Sequence, residues 1–321
     1  MTTAPLPILV VHLEGIGDQV LALPFLVRLP QVFPERTIFL VTGAGRRALL
    51  LGLPSYYQII ETCEPDAFSQ VFSHRFDVVF DLGTGYGHIA DLFSGQKLQY
   101  ETYVGFAKPR TLFREKVVHR SGTIPMWRQF VSLLGFFGPT SGDMPVLPFV
   151  VAPTDRRFAE LLIDFKADFS LICIAPGALS NPAKKWAPGH FAACMNLLNA
   201  GGTRRFALVG SQADASIVRE IQDQLNFPAE NLAGLTPLGS LAHILKRSCL
   251  LVSNDNGVMH LGGLLGTPTL GLFGPTSPEK FAPFGYRSQT LKSASGDIND
   301  LDPLAVAGVC EQMLGRFSEP F

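Results

Sequence analysis

Short, uninterrupted apolar runs alternate along the chain with longer stretches whose apolar positions recur at helical spacing. "PILVVHL" (7–13) reads as a buried strand and "DQVLALPFLVRLPQVF" (18–33) as the helix after it. "RTIFLVTG" (36–43) predicts a second strand, "AGRRALLLG" (44–52) a helix and "FDVVFDLG" (76–83) a third strand. The stretch 144–155, "MPVLPFVVAPTD", holds three Pro in an extended apolar setting and predicts a linker. The pattern then restarts. Strands are expected at 169–177, 204–211, 249–255 and 267–274, and helices at 187–202, 213–225, 238–248, 257–266 and 302–317. Alternation of this kind predicts α/β architecture with parallel sheets wrapped by helices. The restart predicts two doubly wound domains facing across a cleft, 1–150 and 151–321, with the terminal helix packing back on the first. In such sheets ligands bind beyond the carboxyl ends of the strands, so the chemistry belongs in strand-to-helix loops.

Composition narrows the classes. Of 321 residues 47% are hydrophobic and 17% charged, and the net charge is -1, which argues against nucleic acid as the main partner. No apolar run approaches the roughly 18 residues that a membrane-spanning helix needs. The 25 Phe are explained either by a large core or by a surface that touches lipid or a lipid-linked substrate. The N-terminal stretch has no basic residue before its apolar run and so lacks the pattern of a signal peptide; the expected location is cytoplasmic. Five widely spaced Cys, with no CxxC pair, fit small buried hydrophobes in a reducing compartment. The His are scattered and there is no D-x-D, so no metal site is expected.

Three loops carry candidate chemistry. In "HLEGIGDQV" (12–20) Gly15 and Gly17 begin a dinucleotide fingerprint whose third Gly is replaced by Val20. Asp18 there is either a helix cap or a carboxylate able to take a proton from a hydroxyl. "APGALSNPAKKWAPGHF" (175–191) offers Ser180, Lys184 and Lys185 ahead of Trp186. Its lysines are either solvated or point charges for phosphate. "SNDNGVMHLGG" (253–263) places Asp255, Asn256 and Gly257 where a strand gives way to a helix whose first N–H groups suit a phosphate. His260 stands one turn in, read either as a satisfied, partly buried His or as part of that site. Gly262 and Gly263 let this helix sit tightly on its sheet, and Gly274-Pro275-Thr276-Ser277 supplies further donors nearby. The physical reading is an anion site, most simply for a diphosphate.

These pieces, with "YVGF" and "NLAGLTPLGSLAHIL", occur in order over nearly the whole chain and resemble the ADP-heptose:lipopolysaccharide heptosyltransferases, glycosyltransferase family 9. The resemblance implies a GT-B fold of two Rossmann-like domains, with acceptor on the first and nucleotide sugar on the second. It implies an inverting, metal-independent transfer from ADP-L-glycero-D-manno-heptose to a lipid-linked saccharide, the lipopolysaccharide core. The ADP-sugar would be a co-substrate with no cofactor besides, and peripheral contact with the inner membrane is implied. By position, Asp18 matches the catalytic base, while Lys184 and Ser180 match donor-phosphate contacts. Asp214 stands where Glu is usual beside the ribose, and Thr236 lies beside the adenine. Asp255, Asn256, Gly257 and His260 complete the donor set; Glu14, Gly15 and Gly17 fall to the acceptor.

The chain departs from the family at Glu14-Gly15, at His12 where a basic residue is common, and in 84–95, which lacks an Arg often found there. These departures bear on the acceptor rather than the donor. The basic cluster of 108–120 is either a solvated loop or a contact for acceptor phosphates or carboxylates. A transferase using another sugar nucleotide or acceptor, a non-catalytic sugar-nucleotide module and a nicotinamide oxidoreductase are the competing readings. The oxidoreductase is disfavoured by the missing third Gly.

Overall fold

The protein is described from a computed structural model covering residues 5–83, 98–106, 116–118, 120–140, 142–165, 170–178 and 181–317. The chain divides into two compact units, Met1–Val150 and Val151–Phe321.

The first unit is built on a six-stranded sheet: β1 (Ile8–His12), β2 (Ile38–Thr42), β3 (Tyr57–Glu61), β4 (Arg75–Asp81), β5 (Gln99–Phe106) and β6 (Lys116–Val118). Their spatial order is β3-β2-β1-β4-β5-β6 and every pairing is parallel. Every residue of β1 and β2 is buried, as expected of a parallel sheet covered on both faces. Helix α1 (Ile16–Val32) follows β1 and runs through Pro24 and Pro30. A proline inside a helix removes a backbone hydrogen bond. Here Val20, Leu21, Leu23, Phe25, Leu26 and Leu29 bury enough apolar surface to hold the helix together. The helix expected at 44–52 is a single 3-10 turn, Arg47–Leu49. Gly45 before it takes φ +72°, a left-handed conformation that an α-helix does not continue.

The second unit repeats the plan with β7 (Ser170–Ala175), β8 (Arg204–Leu208), β9 (Glu230–Asn231), β10 (Leu250–Asn254), β11 (Thr269–Phe273) and β12 (Ser288–Lys292), in the order β12-β11-β10-β7-β8-β9, again all parallel. Both sheets therefore have the doubly wound order in which the first strand of the unit lies beside the fourth. The terminal helix, α2 (Pro303–Arg316), expected on the first domain, buries Val306, Ala307, Cys310 and Met313 in the second unit's core, against helix α3 (Pro188–Leu198). Strands β3, β9 and β12 lie at or beside sheet edges and are half exposed, which is why no uniform apolar run marks them.

Much of the Phe excess is core: Phe25, Phe76, Phe80, Phe130, Phe191 and Phe206 are fully buried. Cys173, Cys194 and Cys310 are buried as expected, whereas Cys63 is exposed and Cys249 is half-buried. Burial pushes the Cys173 thiol up to about 12 and Cys249 to about 11, leaving both unreactive near neutrality. Among the described residues no helix is long and apolar enough to cross a membrane.

Candidate functional site

The sheet order locates the crevices before any side chain is considered. In a doubly wound sheet the loops diverge where the order reverses, leaving room for a ligand beyond the carboxyl ends of the two central strands. In the first unit those strands are β1 and β4; in the second, β7 and β10.

In the first unit β1 ends at His12, and Glu14, Gly15, Gly17 and Asp18 follow directly. Gly15 is the residue that caps α1, so Asp18 lies in the first helical turn and is not the cap. Its carboxylate there is favoured by the positive end of the helix dipole. Gly15 is exposed, and a Cβ on it would meet nothing within 4 Å, so the backbone is open to approach. His12 is fully buried, edge-on to Phe130 with ring centroids 5.5 Å apart. Burial lowers its pKa to about 4, against the pull of the Asp18 backbone and the Glu14 and Asp81 carboxylates. It is therefore neutral at physiological pH. Beside it Thr42 donates to the Gln19 side chain at 3.0 Å.

Across the same crevice Asp81 closes β4, in register with Val11. This buried carboxylate accepts from the Tyr103 hydroxyl at 2.7 Å and the Gly83 N–H at 2.8 Å. Sequence reasoning took "FDVVFDLG" as a strand only. The signal it passed over is an acid as the last residue of an otherwise apolar strand. The cluster expected at 108–120 lies mostly outside the described residues, as does 84–95.

The second unit's crevice is more fully built. The β7 loop turns at Pro182–Lys184, where Asn181 accepts from the Ala183 N–H at 3.0 Å. Trp186 anchors this loop: it is fully buried, and its ring N–H donates to the Leu301 carbonyl at 3.0 Å. Lys184 thereby reaches Asp255, its Nζ 2.7 Å from Oδ2. The same oxygen accepts from the Thr276 hydroxyl at 2.7 Å. His260 Nε2 lies 3.9 Å from Oδ1. The His260 ring is buried, which lowers its pKa to about 4 despite the carboxylate, and Lys184 adds to the lowering; the imidazole is neutral.

Asn256 caps helix α4 (Gly257–Leu264), its Oδ1 accepting from the N–H groups of Val258 at 2.8 Å and Met259 at 3.0 Å. Its amide donates back to the β7 loop, to the Ala175 and Gly177 carbonyls at 3.2 and 2.8 Å. This corrects the expectation of a wholly unsatisfied helix start. The cap occupies two of the first donors and leaves the Gly257 N–H. The close seating of the helix is as expected, since a Cβ on Gly262 would come within 2.5 Å of Leu251 and 2.8 Å of Thr269.

Asp214 borders the same crevice in a capping role. It accepts from the Ser211 N–H at 2.8 Å and hydroxyl at 2.7 Å. A Cβ on Gly177 would lie 2.5 Å from its carboxylate, so only glycine admits it. The Gly234 N–H donates to the Gly210 carbonyl at 3.0 Å, bringing the loop of Thr236 to this rim. The Thr236 hydroxyl is buried without a hydrogen-bond partner among the described residues. Lys184, Asp255 and His260 are thus in direct reach of one another beside the Asn256 cap and Gly257, with Asp214 close by through Gly177 and the Thr236 loop joined through Gly234. Ser180 lies outside the described residues. Thr276, named in the sequence only as a nearby donor, proves to bind the central carboxylate. Among the described residues no group of three or more His, Cys, Asp or Glu could hold a metal ion.

Two such doubly wound units in tandem are the architecture of the GT-B glycosyltransferases. The profile of glycosyltransferase family 9 (heptosyltransferase) matches residues 127–303. Lipooligosaccharide heptosyltransferase 2 of Haemophilus influenzae is 26% identical over 91% of this chain and 90% of its own. The solved structure of Escherichia coli ADP-heptose lps heptosyltransferase II superposes with a TM-score of 0.79 at 22% identity, covering 98% of this chain and all of that one. E. coli heptosyltransferase WaaC with ADP superposes at 0.71 and 18% identity, covering 96% of this chain and 99% of that one. The chain belongs to glycosyltransferase family 9 and is a glycosyltransferase of the heptosyltransferase type.

Proposed function

We propose that this enzyme transfers heptose from ADP-L-glycero-D-manno-heptose to a hydroxyl of a lipopolysaccharide core or related saccharide, with inversion and without a metal. The donor and acceptor classes follow the names of its relatives. The observation that carries the donor half is Lys184, a cation brought beside a capped helix start at the switch point of the second sheet.

In this reading Asp18 takes the proton of the acceptor hydroxyl as its oxygen attacks the anomeric carbon. The bond from that carbon to the diphosphate oxygen breaks on the opposite face, and the charge goes to ADP. Lys184, the Gly257 N–H and the dipole of α4 stabilise that charge. Neutral His260 adds no competing charge. Asp214 and Thr236 would meet the nucleoside, and Glu14, Gly15 and Gly17 the acceptor. The lipid-linked acceptor would be met at the cytoplasmic face of the inner membrane.

Calorimetric titration of the protein and of Lys184→Ala with ADP, UDP and GDP, each with and without Mg²⁺, tests the donor site. The expected result is preferential ADP binding, indifferent to Mg²⁺ and weakened in the variant. Preference for UDP or GDP, or no nucleotide binding, would withdraw the heptosyl donor from this reading.

A further inference from the structure

We infer that Thr276 is a positioning residue for donor binding: its hydroxyl holds the Asp255 carboxylate in place when a diphosphate draws Lys184 away from it. The inference rests on the reading of Lys184 as the diphosphate contact and goes beyond it in assigning a role to a residue of another loop.

Asp255 is the hub. Its side chain is 5% exposed, and Oδ2 accepts from both Lys184 and Thr276 at 2.7 Å. The two donors differ in how they are held. Lys184 reaches the carboxylate on a flexible stem. Thr276 sits on the loop after β11, and that loop is pinned: a Cβ on Gly274 would come within 2.7 Å of Ile298, and the Gly274 carbonyl accepts from Lys292.

A lysine ammonium is a compact point charge, and a diphosphate competes for it. When Lys184 turns to the diphosphate, Asp255 is left nearly buried, beside an anion, without its cation. Among the described residues, Lys184 and His260 are the basic groups within 4 Å of it. His260 is neutral, with Nε2 3.9 Å from Oδ1, beyond a hydrogen bond. Among the described residues the Thr276 hydroxyl is then the short donor that remains. It keeps the carboxylate turned away from the diphosphate. Without it, the carboxylate has no short donor left among the described residues once Lys184 has turned, so the donor-bound state is penalised more than the free enzyme.

The test is calorimetric titration of ADP on the enzyme and on Thr276→Val, Thr276→Ala, Thr276→Ser, Asp255→Asn and the Asp255→Asn/Thr276→Val double variant. Valine preserves volume, alanine checks that packing does not decide the result, and serine restores the hydroxyl. Hydrogen bonds to charged groups are worth about 1.5–3 kcal/mol, so ADP affinity is expected to fall roughly ten- to a hundred-fold in the Val and Ala variants. The Ser variant, which restores the hydroxyl, should keep wild-type affinity. In the Asp255→Asn background, Thr276→Val should add nothing. Wild-type affinity in the Val and Ala variants, loss in the Ser variant as well, or an equal loss in the Asn background would overturn this inference and leave the donor site standing. Failure of the wild-type protein to bind ADP would overturn both.

Discussion

Asp18 and Lys184 carry opposite halves of the proposed reaction, and their loss should be separable. General-base help is typically worth about 10²- to 10⁴-fold, so Asp18→Asn should lower kcat by that order while ADP affinity is unchanged. A concurrent loss of ADP affinity would place Asp18 at the donor instead. The two buried neutral histidines set a pH dependence of stability. Burial lowers His12 and His260 from the ordinary imidazole range to about 4, so the unfolded chain binds their protons first. Stability is fully present above pH 6.5 and is lost as pH falls toward 4, by about 2 kcal/mol per histidine between pH 7 and pH 5. Urea denaturation at the two pH values, repeated on His260→Gln, measures it; an unchanged slope in that variant would remove His260 from the account. Asp18, Lys184 and Asp255 were legible as residue types at strand ends. That Asp255 joins Lys184 to Thr276 was not, because 71 residues separate the ion pair and 21 the hydrogen bond.

At the scale of elements, the helix that starts at Gly257 is held at both ends of its function by small features. Asn256 makes two cap bonds and two bonds to the β7 loop, so Asn256→Ala should cost about 1–3 kcal/mol and loosen the crevice. Gly262→Ala places a methyl against Leu251 and Thr269 and should cost a comparable amount through overpacking. Thermal melts of the two variants check both, and a melting point unchanged in Gly262→Ala would mean that the sheet yields. The central strands and the major helices were readable from uniform apolar runs and helical spacing. The 3-10 turn at Arg47–Leu49 was not, because the apolar count of 44–52 outweighed the left-handed Gly45 in the reading.

At the scale of the molecule, the second unit owns a continuous core running from Ile172 to Met313, closed by the terminal helix. A fragment of residues 151–321 is therefore expected to fold cooperatively and to bind ADP with near wild-type affinity, while transferring no sugar. Circular dichroism and calorimetry on the fragment decide this, and a fragment that is unfolded or blind to ADP would tie donor binding to the first unit. Two doubly wound domains and a break near residue 150 were determined by sequence alone. Parallel strands buried on both faces demand apolar runs, and crossovers demand helices between them. The tertiary structure decided which loops meet. The strand order brings β7 beside β10 across nearly eighty residues, and only that crossing sets Lys184 on Asp255, folds the Asn256 amide onto Gly177 and buries His260 in its neutral form. Spacing along a chain carries no such information, because neighbours in a parallel sheet are chosen by the packing of the whole domain.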